Sequence, residues 1–234
     1  MTNGNKTLNI QYRFLTNVNH SQLLETNLEA FSDYVVPMEV TEKQFENHLA
    51  QNNINLDLSI GAFRDDVLVG YTLNGFGTWN GKKTAYDGGT GVIPSYRRMG
   101  IGKAMFEFLL PKLREMDVKQ MLLEVISNNT KAVNLYRKLG FLETRRLLFF
   151  EQTNEVKPEI QNEFEIRQVE TLDWNHIRDF WDKETSWLFS IDAVNRKLSS
   201  KIFFAAFKNA KCVGYSILYP QSGTICQIAV SKDF

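Results

Sequence analysis

The chain has 234 residues, 43% hydrophobic and 23% charged, with Lys+Arg and Asp+Glu equal at 27 each. This composition excludes a disordered chain, a collagen-like repeat and a coiled-coil rod. A net charge of zero gives no support to bulk binding of nucleic acid or an anionic membrane.

Cys212 and Cys226 are too few for a disulfide framework or a cysteine-rich zinc site, so a reducing compartment is expected. The opening MTNGNKTLNIQYRF has no apolar run of a secretory leader. No stretch reaches the ~18 apolar residues of a membrane span. A cytoplasmic protein without a membrane partner is the expectation. At roughly 100–200 residues per domain, the length allows one large domain or about one and a half.

Leu8–Thr16 reads as a strand. Asn19 or Ser21 caps a helix to about Tyr34, with Leu23, Leu24, Leu28 and Phe31 on one face and Pro37 beyond its end. Thr41 and Gln44 make a capping box for a second helix carrying Phe45 and Leu49. Three strands follow at Leu56–Arg64, Val67–Phe76 and Thr84–Pro94, joined by Asp65-Asp66 and Asn80-Gly81. A helical pattern runs from Met99 to Met116, with Ile101, Met105, Phe108 and Leu109 at helical spacing. Pro111 is expected to kink or split it. Lys119–Ile126 reads as a buried strand, Thr130–Leu139 as a helix closed by Gly140, and Thr144–Glu151 as a final strand. The order is that of an α/β layer architecture with a central mixed sheet.

The strand ending Gly-Val-Ile-Pro runs into Ser95-Tyr96-Arg97-Arg98-Met99-Gly100-Ile101-Gly102, which opens the long helix. Glycines let backbone N–H groups approach a ligand closely, and a helix start adds unpaired donors and partial positive charge. Such a strand, loop and helix start can cradle a pyrophosphate, with Arg97 and Arg98 adding charge-assisted bonds. The pattern is neither the P-loop nor the dinucleotide fingerprint.

Residues 129–141 read NTKAVNLYRKLGF. Together, VIPSYRRMGIGKA and NTKAVNLYRKLGF resemble the two signature segments of the GNAT superfamily of acetyl-CoA-dependent N-acetyltransferases, and the likeness extends over about residues 8–152. It implies a sheet with splayed fourth and fifth strands. It also implies transfer of an acetyl group from acetyl-CoA to a primary amine in a ternary complex, without a metal. By position, Val92 and Ile93 pair with the pantetheine arm, and the Val92 N–H polarises the acetyl carbonyl. Arg97, Arg98, Met99, Gly100, Ile101 and Gly102 surround the pyrophosphate, mostly through main-chain N–H groups, and the cofactor-binding Lys103 and Ala104 continue the helix start. Asn129 and Ala132 meet the cofactor arm, and Tyr136 faces the thioester sulfur.

A phenol with a pKa near 10 stays protonated at pH 7 and can donate to a departing thiolate whose conjugate acid lies near 8.5. Two carboxylates compete for the base. Glu124 stands in Leu-Leu-Glu-Val, twelve residues before Tyr136, a spacing shared with GNAT members that acetylate ribosomal-protein N-termini. Placed between apolar neighbours, its pKa is expected to rise. Asp87 stands beside Gly88-Gly89, which signals a bulge. A water relay to either also serves. His20, His48 and His176 lie outside both segments, lack metal-ligand spacing and read as satisfied or surface residues. Phe76, Trp79 and Tyr86 either pack the sheet or line the acceptor pocket.

Gly61–Leu73 (GAFRDDVLVGYTL) recurs without a gap as Ala205–Ile217 (AAFKNAKCVGYSI), 144 residues on. Phe164–Val169 reads as a strand, Leu172–Trp187 as a helix, and Asp192 as the cap of a second helix before three more strands. The expected organisation is a complete acetyltransferase unit over 1–152, a linker over 153–163, and a partial second unit over 164–234 that stops before its own phosphate loop. Packing, acceptor-site shaping or homodimer formation are its expected roles.

Overall fold

The computed structural model describes residues 9–34, 40–154, 163–196 and 200–234. The chain divides into two compact units after Leu142. In the first, β1 (Gln11–Phe14), β2 (Ile60–Arg64), β3 (Val67–Trp79), β4 (Lys82–Val92) and β5 (Gln120–Leu123) form one sheet in that order. The first four are antiparallel and β5 runs parallel to β4. Both predicted hairpin joints hold paired left-handed residues, Asp65 and Asp66 at φ 48° and 64° and Asn80 and Gly81 at 49° and 70°. Two-residue turns of this kind match the twist of the strands they join. Leu56–Leu58 is a 3-10 turn instead of strand, because the Asn55 side chain takes the Asp57 N–H at 2.8 Å.

Helix α1 (His20–Ala30) starts at Asn19, whose Oδ1 accepts the Ser21 N–H at 2.9 Å, and buries Leu23 and Ala30. It ends four residues short of Tyr34. Pro37 lies outside the described residues. Helix α2 (Glu42–Gln51) begins with the predicted capping box: Thr41 N–H meets Gln44 Oε1 at 2.8 Å, and Gln44 N–H meets Thr41 Oγ1 at 3.3 Å. Its C-terminal segment is stitched to β3, since Asn55 N–H donates to the Asn74 carbonyl and Phe76 N–H to that of Asn53.

Helix α3 (Ile101–Glu115) runs through Pro111 as one helix. The expected break does not occur. Ile101, Met105, Leu109 and Leu113, four residues apart, are buried on both sides of the proline and hold the axis, while Pro111 faces outward. Helix α4 (Thr130–Lys138) ends at Gly140, φ 89°. Strand β5 is four half-buried residues, not the buried eight-residue run expected: the chain leaves β4 after Leu123, and Glu124–Ile126 are exposed. Thr144–Glu151 forms no strand. Apolar composition makes a strand only when a ladder partner is present, and this segment bonds instead through Arg145 to the carbonyls of Glu184 and Thr185.

The second unit holds β6 (Glu165–Val169), β7 (Ile202–Lys208), β8 (Lys211–Tyr219) and β9 (Thr224–Val230), antiparallel and in that order. Its core gathers Ile177, Phe180, Val194, Phe203, Tyr215 and Ile217. The predicted long helix over Leu172–Trp187 is only α5 (Trp174–Ile177) followed by a 3-10 turn. The second predicted helix is α6 (Ile191–Asn195), capped by Ser190 and not by Asp192; Ser190 Oγ takes the Ala193 N–H at 3.2 Å.

The two sheets share irregularities at a spacing of 144. Register shifts fall between Ala62 and Phe63 and between Ala206 and Phe207. They recur between Leu73 and Asn74 and between Ile217 and Leu218. Left-handed turns fall at Asp65-Asp66 and Asn209-Ala210. The Val69 carbonyl accepts from Ile93 N–H as that of Val213 does from Ser231 N–H, the donors here lying 138 residues apart because the second hairpin is shorter.

Candidate active site

Strands β4 and β5 pair only over Thr84–Asp87 and Gln120–Leu123, and β4 then continues to Val92 paired with β3 alone. A wedge opens at that point. Leu73 faces Gly89 and Asn74 faces Asp87, so Gly88 is left over as a bulge, as the Asp-Gly-Gly run suggested.

Asp87 sits in the wedge, 5% exposed. Its Oδ1 accepts the Gly89 N–H at 3.0 Å, and the Thr90 hydroxyl lies 3.0 and 2.9 Å from its two oxygens. Tyr136, from α4, donates its hydroxyl to Asp87 Oδ2 at 3.1 Å. Its ring packs edge-on against Phe106 and Phe141, with centroids 5.9 and 5.7 Å away. Burial pushes the Asp87 carboxyl up to about 6, against the bonds from Thr90, Gly89 and Tyr136. Burial first, and then the Asp87 charge, raise the Tyr136 phenol well above its ordinary value. The phenol therefore keeps its proton at neutral pH. Glu124, the other candidate base, lies one residue past the end of β5, exposed and off the strand where it was expected. Its charge is felt at Tyr86, whose buried phenol is raised.

The alternation of an antiparallel ladder decides which backbone groups the wedge receives. Ile93 donates its N–H to Val69 O, so residues 91 and 93 bond toward β3, while 90 and 92 present their amides to the opposite edge. Ile93, expected on the cofactor arm, is thus committed to the sheet. Val92 keeps its N–H on the open side, and its carbonyl accepts from Arg97 Nε at 3.0 Å.

The loop before α3 carries Arg98 at φ 65° and Gly100 at φ 79°, and Gly100 supplies no side-chain cap. The first-turn amides of Ile101, Gly102 and Lys103 therefore project beyond the helix end, the arrangement that binds an anion. Met99 and Arg98 are exposed beside them. The Arg97 side chain bonds within the protein. Its guanidinium holds both Asp33 oxygens at 2.6 and 2.7 Å and the Ala30 carbonyl at 2.7 Å, tying the loop to α1. The Ile101 side chain is buried in the core, Lys103 pairs with Glu107, and Ala104 N–H closes on Gly100 O. A Cβ on Gly102 would lie 3.1 Å from Leu135, so this glycine also lets α3 approach α4. Asn129 caps α4, its Oδ1 accepting the Ala132 N–H at 3.2 Å. That leaves the Asn129 side-chain NH₂ to a ligand and commits Ala132.

A nest of amides for a diphosphate, a strand edge with free N–H groups and a phenol at the wedge match the chemistry of a coenzyme A thioester. Thr90 and Asp33 were missed from sequence. Thr90 had a signal, since Asp-x-x-Thr is a side-chain turn pattern. Asp33 had none, because its partner is 64 residues away. Phe76 and Trp79 are half-buried, and Tyr86 is buried in the sheet. No trio of His, Cys, Asp and Glu side chains that could hold a metal occurs among the described residues.

The family model of the acetyltransferase (GNAT) family matches residues 22–141, just over half of the chain. An N-alpha-acetyltransferase of Sulfurisphaera tokodaii is 40% identical over 57 residues, 24% of this chain and 34% of that protein. The [ribosomal protein bS18]-alanine N-acetyltransferase of Escherichia coli is 42% identical over 52 residues, 22% of this chain and 35% of that one. The chain thus spans about a third of the length of these curated relatives. Among solved structures, a candidate acetyltransferase from Pyrococcus horikoshii superposes with a TM-score of 0.58 at 21% identity, over 90% of this chain and 68% of that one. The signature segments, the wedge and the family match agree: this chain belongs to the GNAT family of acetyltransferases.

Proposed function

We propose that the chain transfers the acetyl group of acetyl-CoA to a primary amine, and that the work is done in the wedge between β4 and β5. The observation that carries this is the Tyr136 hydroxyl bonded to buried Asp87 at 3.1 Å, where the two strands part. The nest at 98–103 binds the pyrophosphate and Asn129 the arm, with Val92 N–H aimed at the acetyl oxygen as charge builds there. The amine nitrogen forms its bond to the acetyl carbon and the carbon–sulfur bond breaks. Tyr136 gives its proton to the departing sulfur. Of the two protons the ammonium nitrogen loses, one replaces that on Tyr136 and the other leaves for solvent.

Asp87 accepts from Gly89, Thr90 and Tyr136 and is enclosed, which suits it to hold Tyr136. Exposed Glu124, at the mouth, is the better placed to receive the amine proton directly or through water. A peptide or protein α-amine is the proposed acceptor. An α-amine titrates near 8 and is deprotonated far more readily at neutral pH than a lysine near 10.4. The names of the Sulfurisphaera and Escherichia relatives point the same way.

Residues 164–234 are proposed to be a second GNAT-like unit without chemistry of its own. The matching irregularities 144 residues apart support this, and the pairing of β8 with β9 puts Ile225 where the first unit has Asp87 and Ile228 where it has Thr90. The test is thiol release from acetyl-CoA over a panel of peptides, lysine, polyamine and aminoglycoside, with acetylated product identified by mass. Peptide α-amine turnover is expected; acetyl-CoA binding without turnover on any amine refutes the proposal.

A further inference from the structure

We propose that His48 is a positioning residue for the reaction: through the carbonyl of Gly88 it fixes the β4 bulge that aims Asp87 at Tyr136. The inference rests on the acetyl-transfer reading above and extends it to a side chain outside both signature segments.

A bulge leaves one residue without a ladder partner, and here that residue is Gly88. Its carbonyl needs a donor from elsewhere. His48 Nε2, on α2, lies 2.9 Å from the Gly88 oxygen, and Asn52 Nδ2 lies 3.2 Å from His48 Nδ1. A carbonyl only accepts, so Nε2 carries the proton and Nδ1 takes the amide of Asn52, which sets one neutral tautomer. Burial lowers the imidazole pKa and favours that neutral form. Asn52, 1% exposed, is itself held by the His48 carbonyl at 3.0 Å.

There is no slack around this contact. A Cβ on Gly88 would lie 2.8 Å from Ile54, and one on Gly75, across the sheet, 2.1 Å from the Asn52 carbonyl. The segment ending α2 is therefore pressed onto the bulge. Gly88 separates Asp87 from Gly89, whose N–H bonds the carboxylate. A turn of the Gly88 peptide moves that donor and the carboxylate together. The His48 ring bonds Gly88 and Asn52, not Asp87 or Tyr136; it acts through the backbone.

The test compares His48→Gln with His48→Met, two side chains of similar length of which only Gln can donate to Gly88. With the peptide acceptor and acetyl-CoA, His48→Met is expected to lose about 10- to 100-fold in kcat, the scale of an ångström-level misplacement. The KM for acetyl-CoA stays near that of the unaltered chain, because the phosphate loop is not touched. His48→Gln is expected to recover most of kcat, while His48→Met, which leaves the Gly88 carbonyl without a donor, also melts at a lower temperature. Unchanged kcat in His48→Met, or equal losses in both variants, overturns the inference. Turnover by the unaltered chain separates either result from failure of the acetyl-transfer reading, which would leave that chain inactive too.

Discussion

Replacing Asp87 with Asn should make the protein more stable at pH 8 and less active. The carboxyl titrates near 3.8 in the unfolded chain and at about 6 in the folded one. Between those values the unfolded chain has shed its proton while the folded chain still holds it, so folded stability falls as pH rises from about 4 and levels off above about 6. The full difference corresponds to about 3 kcal/mol at pH 8. Asn is a neutral isostere that escapes this cost, and the hydroxyls of Thr90 and Tyr136 can rotate to accept from its NH₂. After allowance for weaker bonds from Gly89, Asp87→Asn should gain about 1–3 kcal/mol at pH 8, a rise in melting temperature of about 2–10 °C, and about 2 kcal/mol less than that at pH 4.5. Thermal unfolding of both proteins at the two pH values checks this. An Asn variant that gains no more at pH 8 than at pH 4.5 would refute a carboxylate destabilised by burial. Loss of kcat in the same variant would show that the charge is retained for the reaction.

Tyr136→Phe keeps the packing on Phe106 and Phe141 but removes the acid, so kcat should fall about 10²- to 10⁴-fold with little change in melting temperature; steady-state kinetics and a melt read both. Arg97→Ala orphans the carbonyls of Ala30 and Val92 and should cost about 1–3 kcal/mol in denaturant unfolding, with a raised KM for acetyl-CoA. Gly75→Ala forces a Cβ to 2.1 Å from the Asn52 backbone oxygen; a melt should show a loss of about 1–3 kcal/mol or more, and kcat should fall with it as the bulge shifts.

The first unit was legible where local chemistry decides structure: the capping box at Thr41, both hairpin turns, the start of α3 at Gly100 and the stop at Gly140. What was not legible depended on distant partners. Pro111 stays helical because apolar residues on either side of it are buried against the sheet. Thr144–Glu151 has the composition of a strand and lacks a ladder partner. At the site, the family resemblance pointed to Tyr136 and the Gly88-Gly89 run to Asp87, yet neither announced that the two bond to each other, since they are 49 residues apart. Arg97 reads as a phosphate ligand from its sequence neighbours, and only the fold brings Asp33 to claim it. His48 shows the same limit: nothing near it in sequence announces that a carbonyl 40 residues away needs a donor.

Around the boundary at Leu142 the chain presents Leu142, Leu148, Phe149 and Phe150 at 78–91% exposure, in a stretch without regular secondary structure. Exposed irregular segments are where proteases cut first. A brief treatment with chymotrypsin, which cleaves after large apolar side chains, should cut the chain here into two fragments. Whether the amino-terminal fragment still releases thiol from acetyl-CoA would then report what the rest of the chain contributes, with no need to redesign the gene.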